Sequence, residues 1–95
     1  NIVKESVAKA LISIGDPVIE PLISTLRIGQ IEARKTAAYV LGELKGDKVV
    51  EPLIKALDDR NKDVRAEVVT SLGKIRDDRA LEPLIKRLGD ECGQV

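Results

Sequence analysis

Glu20-Pro21-Leu22-Ile23 returns as Glu51-Pro52-Leu53-Ile54 and once more as Glu82-Pro83-Leu84-Ile85, with 31 residues from proline to proline each time. Laying 18–48 over 49–79 without a gap gives ten identities in 31 positions. These are Val18/Val49, Glu20/Glu51, Pro21/Pro52, Leu22/Leu53, Ile23/Ile54, Leu26/Leu57, Arg34/Arg65, Leu41/Leu72, Gly42/Gly73 and Asp47/Asp78. The start of the chain joins the register once one residue is deleted near Pro17, so that Val3, Leu11, Ile14 and Asp16 fall on Val64, Leu72, Ile75 and Asp78. Self-similarity at a fixed period of about 20–50 residues marks a repeat architecture. The period therefore sets the fold before any single element is read.

Each period holds two helical stretches. The first, an A helix, is expected over 17–27, 48–58 and 79–88. In the middle copy Val49, Val50, Leu53, Ile54 and Leu57 advance by threes and fours, which places them on one helical face. The opposite face carries Glu51 and Lys55, repeated as Glu82 and Lys86, in the favourable order for an i,i+4 pair. Asp16, Asp47 and Asp78 stand just before these helices as candidate N-caps. The second stretch, a B helix, is expected over 1–14, 31–44 and 62–75, with Asn61 as its cap in the last copy. Its apolar stripe reads Val64, Val68, Leu72, Ile75 and, one copy earlier, Ala33, Ala37, Leu41, Leu44.

Two residues break helical propensity at fixed places. Gly42 and Gly73 sit late in their B helices, where glycine costs about 1 kcal/mol against alanine. Their recurrence predicts a close helix approach. The A-helix prolines either open their helices or kink them after a loose first turn, and the kink is the favoured expectation. A pair of helices this short cannot bury both faces alone, so the pairs stack into a continuous core.

Composition limits the chemistry. Of 95 residues 43% are apolar, yet Phe, Trp and Met are absent and Tyr39 is the lone aromatic, so Leu, Ile, Val and Ala build the core. Sixteen basic and sixteen acidic residues cancel to a net charge of zero, without the basic excess that marks a phosphate-binding surface. The absence of histidine removes the commonest general base and metal ligand. Cys92 has no Cys or His partner for zinc and no neighbouring base to activate it. Asp58-Asp59 and Asp77-Asp78 fall in turns, where aspartate favours caps over catalysis. No enzyme activity, cofactor or metal is expected. A lone cysteine, no signal-peptide pattern and no bilayer-spanning apolar run point to a cytoplasmic protein without membrane contact.

The string Val64-Arg65 … Ser71-Leu72-Gly73-Lys74-Ile75 … Asp78 … Glu82-Pro83-Leu84-Ile85 resembles the HEAT-like repeat of the phycobilisome lyase type, and Ala33-Arg34 … Ala37-Ala38-Tyr39-Val40-Leu41-Gly42 matches the same pattern. The first copy departs from it, with Lys4 for the arginine and Ile12 for the glycine. The resemblance implies an all-α, right-handed α–α superhelix of about six helices in three 31-residue repeats, one array over 1–95. It also implies an arginine–aspartate ladder, with Arg34 and Arg65 pairing with Asp59 and Asp90 as structural groups, although Ile28 interrupts the aspartate positions. Related HEAT-repeat hydroxylases hold iron through His-Glu pairs, which a chain without histidine cannot build.

The B helices of such stacks line the concave side. The outward positions here are Glu5, Lys9, Lys35, Tyr39, Glu43, Glu67, Thr70 and Lys74. Tyr39 is either a contact residue or a filler of the groove between helices, tyrosine being enriched among interface hot spots. The expected function is a non-catalytic protein-binding scaffold. The alternatives are a chromophore chaperone like the phycobilin lyases, implied by the resemblance alone, and weak nucleic-acid binding, disfavoured by the charge and the lack of stacking aromatics. Leu81, Leu84, Ile85 and Leu88 have no B helix after them, so the array is expected to be part of a longer solenoid, or to cover that face by self-association, a partner or nothing.

Overall fold

The computed structural model describes the backbone of residues 2–93 and the side chains of 4–89. Six α-helices follow one another: α1 (Ile2–Ile14), α2 (Ile19–Ile28), α3 (Ile31–Leu44), α4 (Asp47–Lys55), α5 (Lys62–Ile75) and α6 (Leu81–Gly93). Short 3-10 turns, Asp16–Val18 and Asp78–Ala80, lead into α2 and α6, and a third, Ala56–Asp58, ends α4. The fold is an all-α solenoid in which α1, α3 and α5 are the B helices and α2, α4 and α6 the A helices. The B helices start and stop where the periodicity puts them. The last A helix continues to Gly93, past its expected end at 88.

The layers are held by short aliphatic chains. Ala37, Ala38, Val40 and Leu41 of α3, Val49, Val50 and Leu53 of α4, and Val64 and Val68 of α5 have no solvent exposure at all. Each such valine or leucine contributes about 1.5–3 kcal/mol by leaving water. With no large aromatic to span a deep centre, the core is thin, and the molecule measures 39 × 26 × 20 Å.

α5 rests on both α3 and α4, and α3 rests on both α1 and α2. The α3–α5 crossing is close because Gly42 faces Ser71. A Cβ on Gly42 would lie 2.6 Å from the Ser71 Cβ and 2.9 Å from its Cα. The buried Ser71 hydroxyl donates to the Ala38 carbonyl at 2.7 Å, which satisfies it inside the interface. The expectation of close approach therefore holds at Gly42. Gly73 holds the same place in its repeat, and among the described residues a Cβ there would meet nothing within 4 Å.

The cap expectations divide. Asn61 caps α5, its side chain accepting from the amides of Asp63 and Val64. Asp16, Asp47 and Asp78 do not cap; each is the first residue inside its helical turn. Gly15 and Gly46, at φ 82° and 88°, hold the cap positions before the first two, a left-handed geometry that glycine adopts without strain. In the third repeat Asp77 stands at that position, and its carboxylate accepts from the Arg79 amide at 2.9 Å. The first-turn aspartates still meet the positive end of the helix dipole.

The prolines also divide. Pro21 and Pro83 lie in the first turn of α2 and α6, directly after a 3-10 turn, where a missing N–H costs little. Pro52 lies inside α4, and there the irregular turn follows at Ala56–Asp58. The Glu51–Lys55 and Glu82–Lys86 pairs are not among the ion pairs of the described residues. Ordering two exposed side chains along a helix offsets most of what the pair gains in water.

Candidate protein-binding surface

Lys4, Glu5, Ala8 and Lys9 of α1, Lys35, Thr36 and Tyr39 of α3, and Glu67 of α5 line one open groove of about 610 Å³. Glu5, Lys9, Lys35, Tyr39 and Glu67 were among the expected outward positions, and a turn of helix separates successive members on each B helix. Lys4, Ala8 and Thr36 were not. Lys4 was read only as a departure at the arginine position, but its ammonium reaches across to Glu32 on α3. Thr36 aligns with Glu67 in the repeat, and that match was the signal that could have found it.

Glu43 and Lys74 lie beside the groove and join α3 to α5. Their ion pair is 2.5 Å long, and the Lys74 ammonium stands 4.8 Å from the centre of the Tyr39 ring. The hydrogen bond from Lys74 to Glu43 holds the ammonium above its usual range, with the charges of Glu43, Tyr39 and Glu67 adding to it. Tyr39 is thereby braced on one face while 37% of it remains exposed. Thr70 is occupied locally, its hydroxyl donating to the Ala66 carbonyl at 3.1 Å.

One rung of the expected arginine ladder, Arg34–Asp59, is formed, and Arg65 also reaches Asp59. The Arg34 guanidinium donates Nε and Nη2 to the two carboxylate oxygens of Asp59 at 2.9 and 3.0 Å, and Nη1 to the Gly29 carbonyl at 2.8 Å. Arg65 donates Nη1 to the Asp59 carbonyl at 2.8 Å. Burial pushes the Asp59 carboxyl up, but the Arg34 and Asn61 hydrogen bonds and the charges of Arg34 and Arg60 outweigh it, and the net shift is downward. The side chain of Asp90, the expected partner of Arg65, lies outside the described residues, as do those of Val3, Cys92 and Val95.

Further charged contacts run between repeats on the other edge. Arg79 bridges Asp47 at 2.7 Å and Asp77 at 3.0 Å, and Arg87 reaches Asp58 at 3.4 Å. The hydrogen bonds from the Arg79 side chain and amide hold the Asp77 carboxyl down at about 2. The Arg79–Asp47 and Arg87–Asp58 contacts run between successive A-helix segments, while Arg79–Asp77 closes within one turn.

Among the described residues no group of three or more His, Cys, Asp or Glu side chains is placed to hold a metal ion, and no helix is long and apolar enough to cross a membrane. No curated protein matches the chain. The family model for HEAT repeats matches residues 19–95. With the helical pairs, the stacked B helices and the Arg34–Asp59 rung already in place, that match covers five of the six helices, and the chain belongs to the HEAT repeat family.

Proposed function

We propose that the chain is a non-catalytic scaffold that binds another protein on the face built by α1, α3 and α5. The observation that carries this reading is the groove itself, where lysines and glutamates from three successive B helices surround a braced, partly exposed tyrosine. Aromatic side chains that are held rigid lose little entropy on binding and supply large contact area. Charges of both signs around the ring suit a peptide or protein segment of mixed charge better than a polyanion.

The finer placement among phycobilisome-lyase-type repeats rests on the Leu-Gly and Glu-Pro-Leu-Ile strings. We take the setting to be cytoplasmic, since one thiol leaves the fold independent of disulfides.

The test compares proteins retained from a cell extract by the wild-type chain, by Tyr39→Ala and by Lys35→Glu, with Lys55→Ala on the opposite helix layer as control. Retention that falls with the groove variants and survives the control supports the reading. Retention indifferent to Tyr39 and Lys35 sinks it, and retardation of DNA or RNA at low salt would put a nucleic acid in the partner's place.

A further inference from the structure

A second, smaller groove of about 290 Å³ lies on the A-helix layer, between the end of α2 and α4 with the turn that follows it. Both of its walls lie within 26–60, inside two consecutive repeats. Leu26, Pro52 and Ala56 form the apolar part of the lining, and Arg27, Asp58, Asp59 and Arg60 belong to the charged part. Both carboxylates are already engaged from outside the groove, Asp58 by Arg87 and Asp59 by Arg34. Arg27 and Arg60 form no ion pair among the described residues, so the groove keeps a positive excess.

The repeat shows why this groove stands open. One period on, Arg87 takes the place of Ala56, and Asp58 takes the place of Arg27. There the Arg87 side chain is only 23% exposed, and its guanidinium meets Asp58 at 3.4 Å. The chain thus supplies its own long, charged side chain to the later position. In the earlier one both members of that pair are changed. Ala56 is too short to reach across, and Arg27 presents a cation where Asp58 presents an anion. The group that completes the earlier position needs an aliphatic stem for Leu26, Pro52 and Ala56 and a carboxylate for Arg27. A glutamate side chain has both.

We propose that this groove takes a glutamate from an acidic segment of another protein, its carboxylate on Arg27 and its stem on Leu26, Pro52 and Ala56. The contact is the charge-reversed form of the Arg87–Asp58 pair. The planar guanidinium of Arg27 matches a carboxylate in two-armed geometry. Arg60, in the same lining, favours a second acidic residue beside the first. The site lies on the opposite helix layer from the Tyr39 groove and stands without it.

The experiment is an NMR titration of the isotope-labelled chain at low salt with an end-blocked hexaglutamate peptide. Hexaglutamine, inorganic phosphate and a thymidine hexanucleotide are titrated alongside. Saturable shifts of the Arg27 side-chain and Ala56 amide signals are expected with hexaglutamate and none with hexaglutamine. Arg27→Glu should weaken binding at least about tenfold, as loss of a charged hydrogen bond does. Ala56→Leu fills the groove without changing any charge and should weaken binding by a similar factor. Arg27 is exposed, and a long side chain is already accepted at the place of Ala56 one repeat on, so both variants are expected to fold, which circular dichroism checks. Tyr39→Ala should leave this binding unchanged. No shift with millimolar hexaglutamate overturns the proposal, and so does binding that survives Arg27→Glu. Binding that survives Ala56→Leu overturns it as well, being charge attraction to an open surface. Phosphate or the hexanucleotide binding as tightly as hexaglutamate replaces the glutamate with a general anion, and a loss in Tyr39→Ala moves the peptide to the B-helix face; either result sinks the proposal.

Discussion

Gly42 and Gly73 hold the same place in successive repeats, and their surroundings could hardly differ more. Gly42 is pressed against the Ser71 backbone, while Gly73 faces open space. The same contrast runs through the A helices, where Val50 and Leu53 are sealed in α4 but Leu81 is laid bare in α6. Arg34, likewise, grips a carboxylate with both arms, whereas the described contact of Arg65 is one bond to a carbonyl. A residue of a repeat protein takes its energetic weight from the neighbour that stacks on it, so identical residues carry unequal loads along the array.

The largest break in this comparison is expected at the ladder. Arg34 and Asp59 have side-chain exposures of 3% and 9%, so truncating Asp59 strands a buried guanidinium. Removing one partner of a buried pair costs about 3–5 kcal/mol. Asp59→Ala should lower the unfolding free energy in urea by that amount, against less than about 0.5 kcal/mol for Asp58→Ala, whose Arg87 contact is solvent-exposed. Equal losses at 58 and 59 would remove the ladder as the main polar tie.

The same pair sets a pH dependence. The folded Asp59 carboxyl titrates below its ordinary value of 3.8. Its contribution is therefore complete above that value and is lost as pH falls through the lower folded one. Asp77, held down at about 2, acts with the same sign. Stability measured from pH 7 downward should fall on the acid side, and Asp59→Asn should flatten part of that fall while leaving the Asp77 part. An unchanged acid limb in Asp59→Asn would mean that Asp59 does not govern it.

Next comes the apolar layer. Leu53→Ala empties a site with no exposure and should cost about 2–5 kcal/mol. Leu81→Ala in the following A helix should shift stability by no more than about 0.5 kcal/mol, as exposed positions do. A large loss at Leu81 in dilute protein would show that α6 is covered by something within the single chain.

What the sequence disclosed and withheld follows the same line. A 3.6-residue period is local, so helix identity and the inward face of the B helices were legible from stripes such as Val64, Val68 and Leu72, whereas the end of the last A helix, at Gly93, was not. Asn61 was legible as a cap because its bonds close within three residues. The Arg34–Asp59 rung came from the resemblance, not from spacing. The caps at Asp16, Asp47 and Asp78 were misread because the glycine before two of them turns left-handed and takes the cap position itself. Membership of the groove was half legible. Tyr39 and Lys35 follow from the outward face of one helix, but Lys4 comes from another helix, with its ammonium on Glu32. Periodicity names faces; it does not say which face of which helix ends up opposite.

The smallest effect separates the two glycines themselves. Adding one methyl at Gly42 drives it to 2.6 Å from Ser71 Cβ and 2.9 Å from its Cα, and a backbone cannot yield as a flexible side chain would. Overpacking of this kind costs about 1–3 kcal/mol, from which the better helix propensity of alanine returns about 1 kcal/mol. Gly42→Ala should thus be a net loss. Gly73→Ala receives the propensity gain with no clash to offset it, since its methyl meets nothing within 4 Å. It should raise stability by somewhat less than about 1 kcal/mol. Opposite signs at equivalent positions point to the neighbour, because both are glycines at the same place in a B helix, one in α3 and one in α5. If both substitutions destabilise, Gly73 also lies under a covering helix in solution, and the open face of α5 is not open.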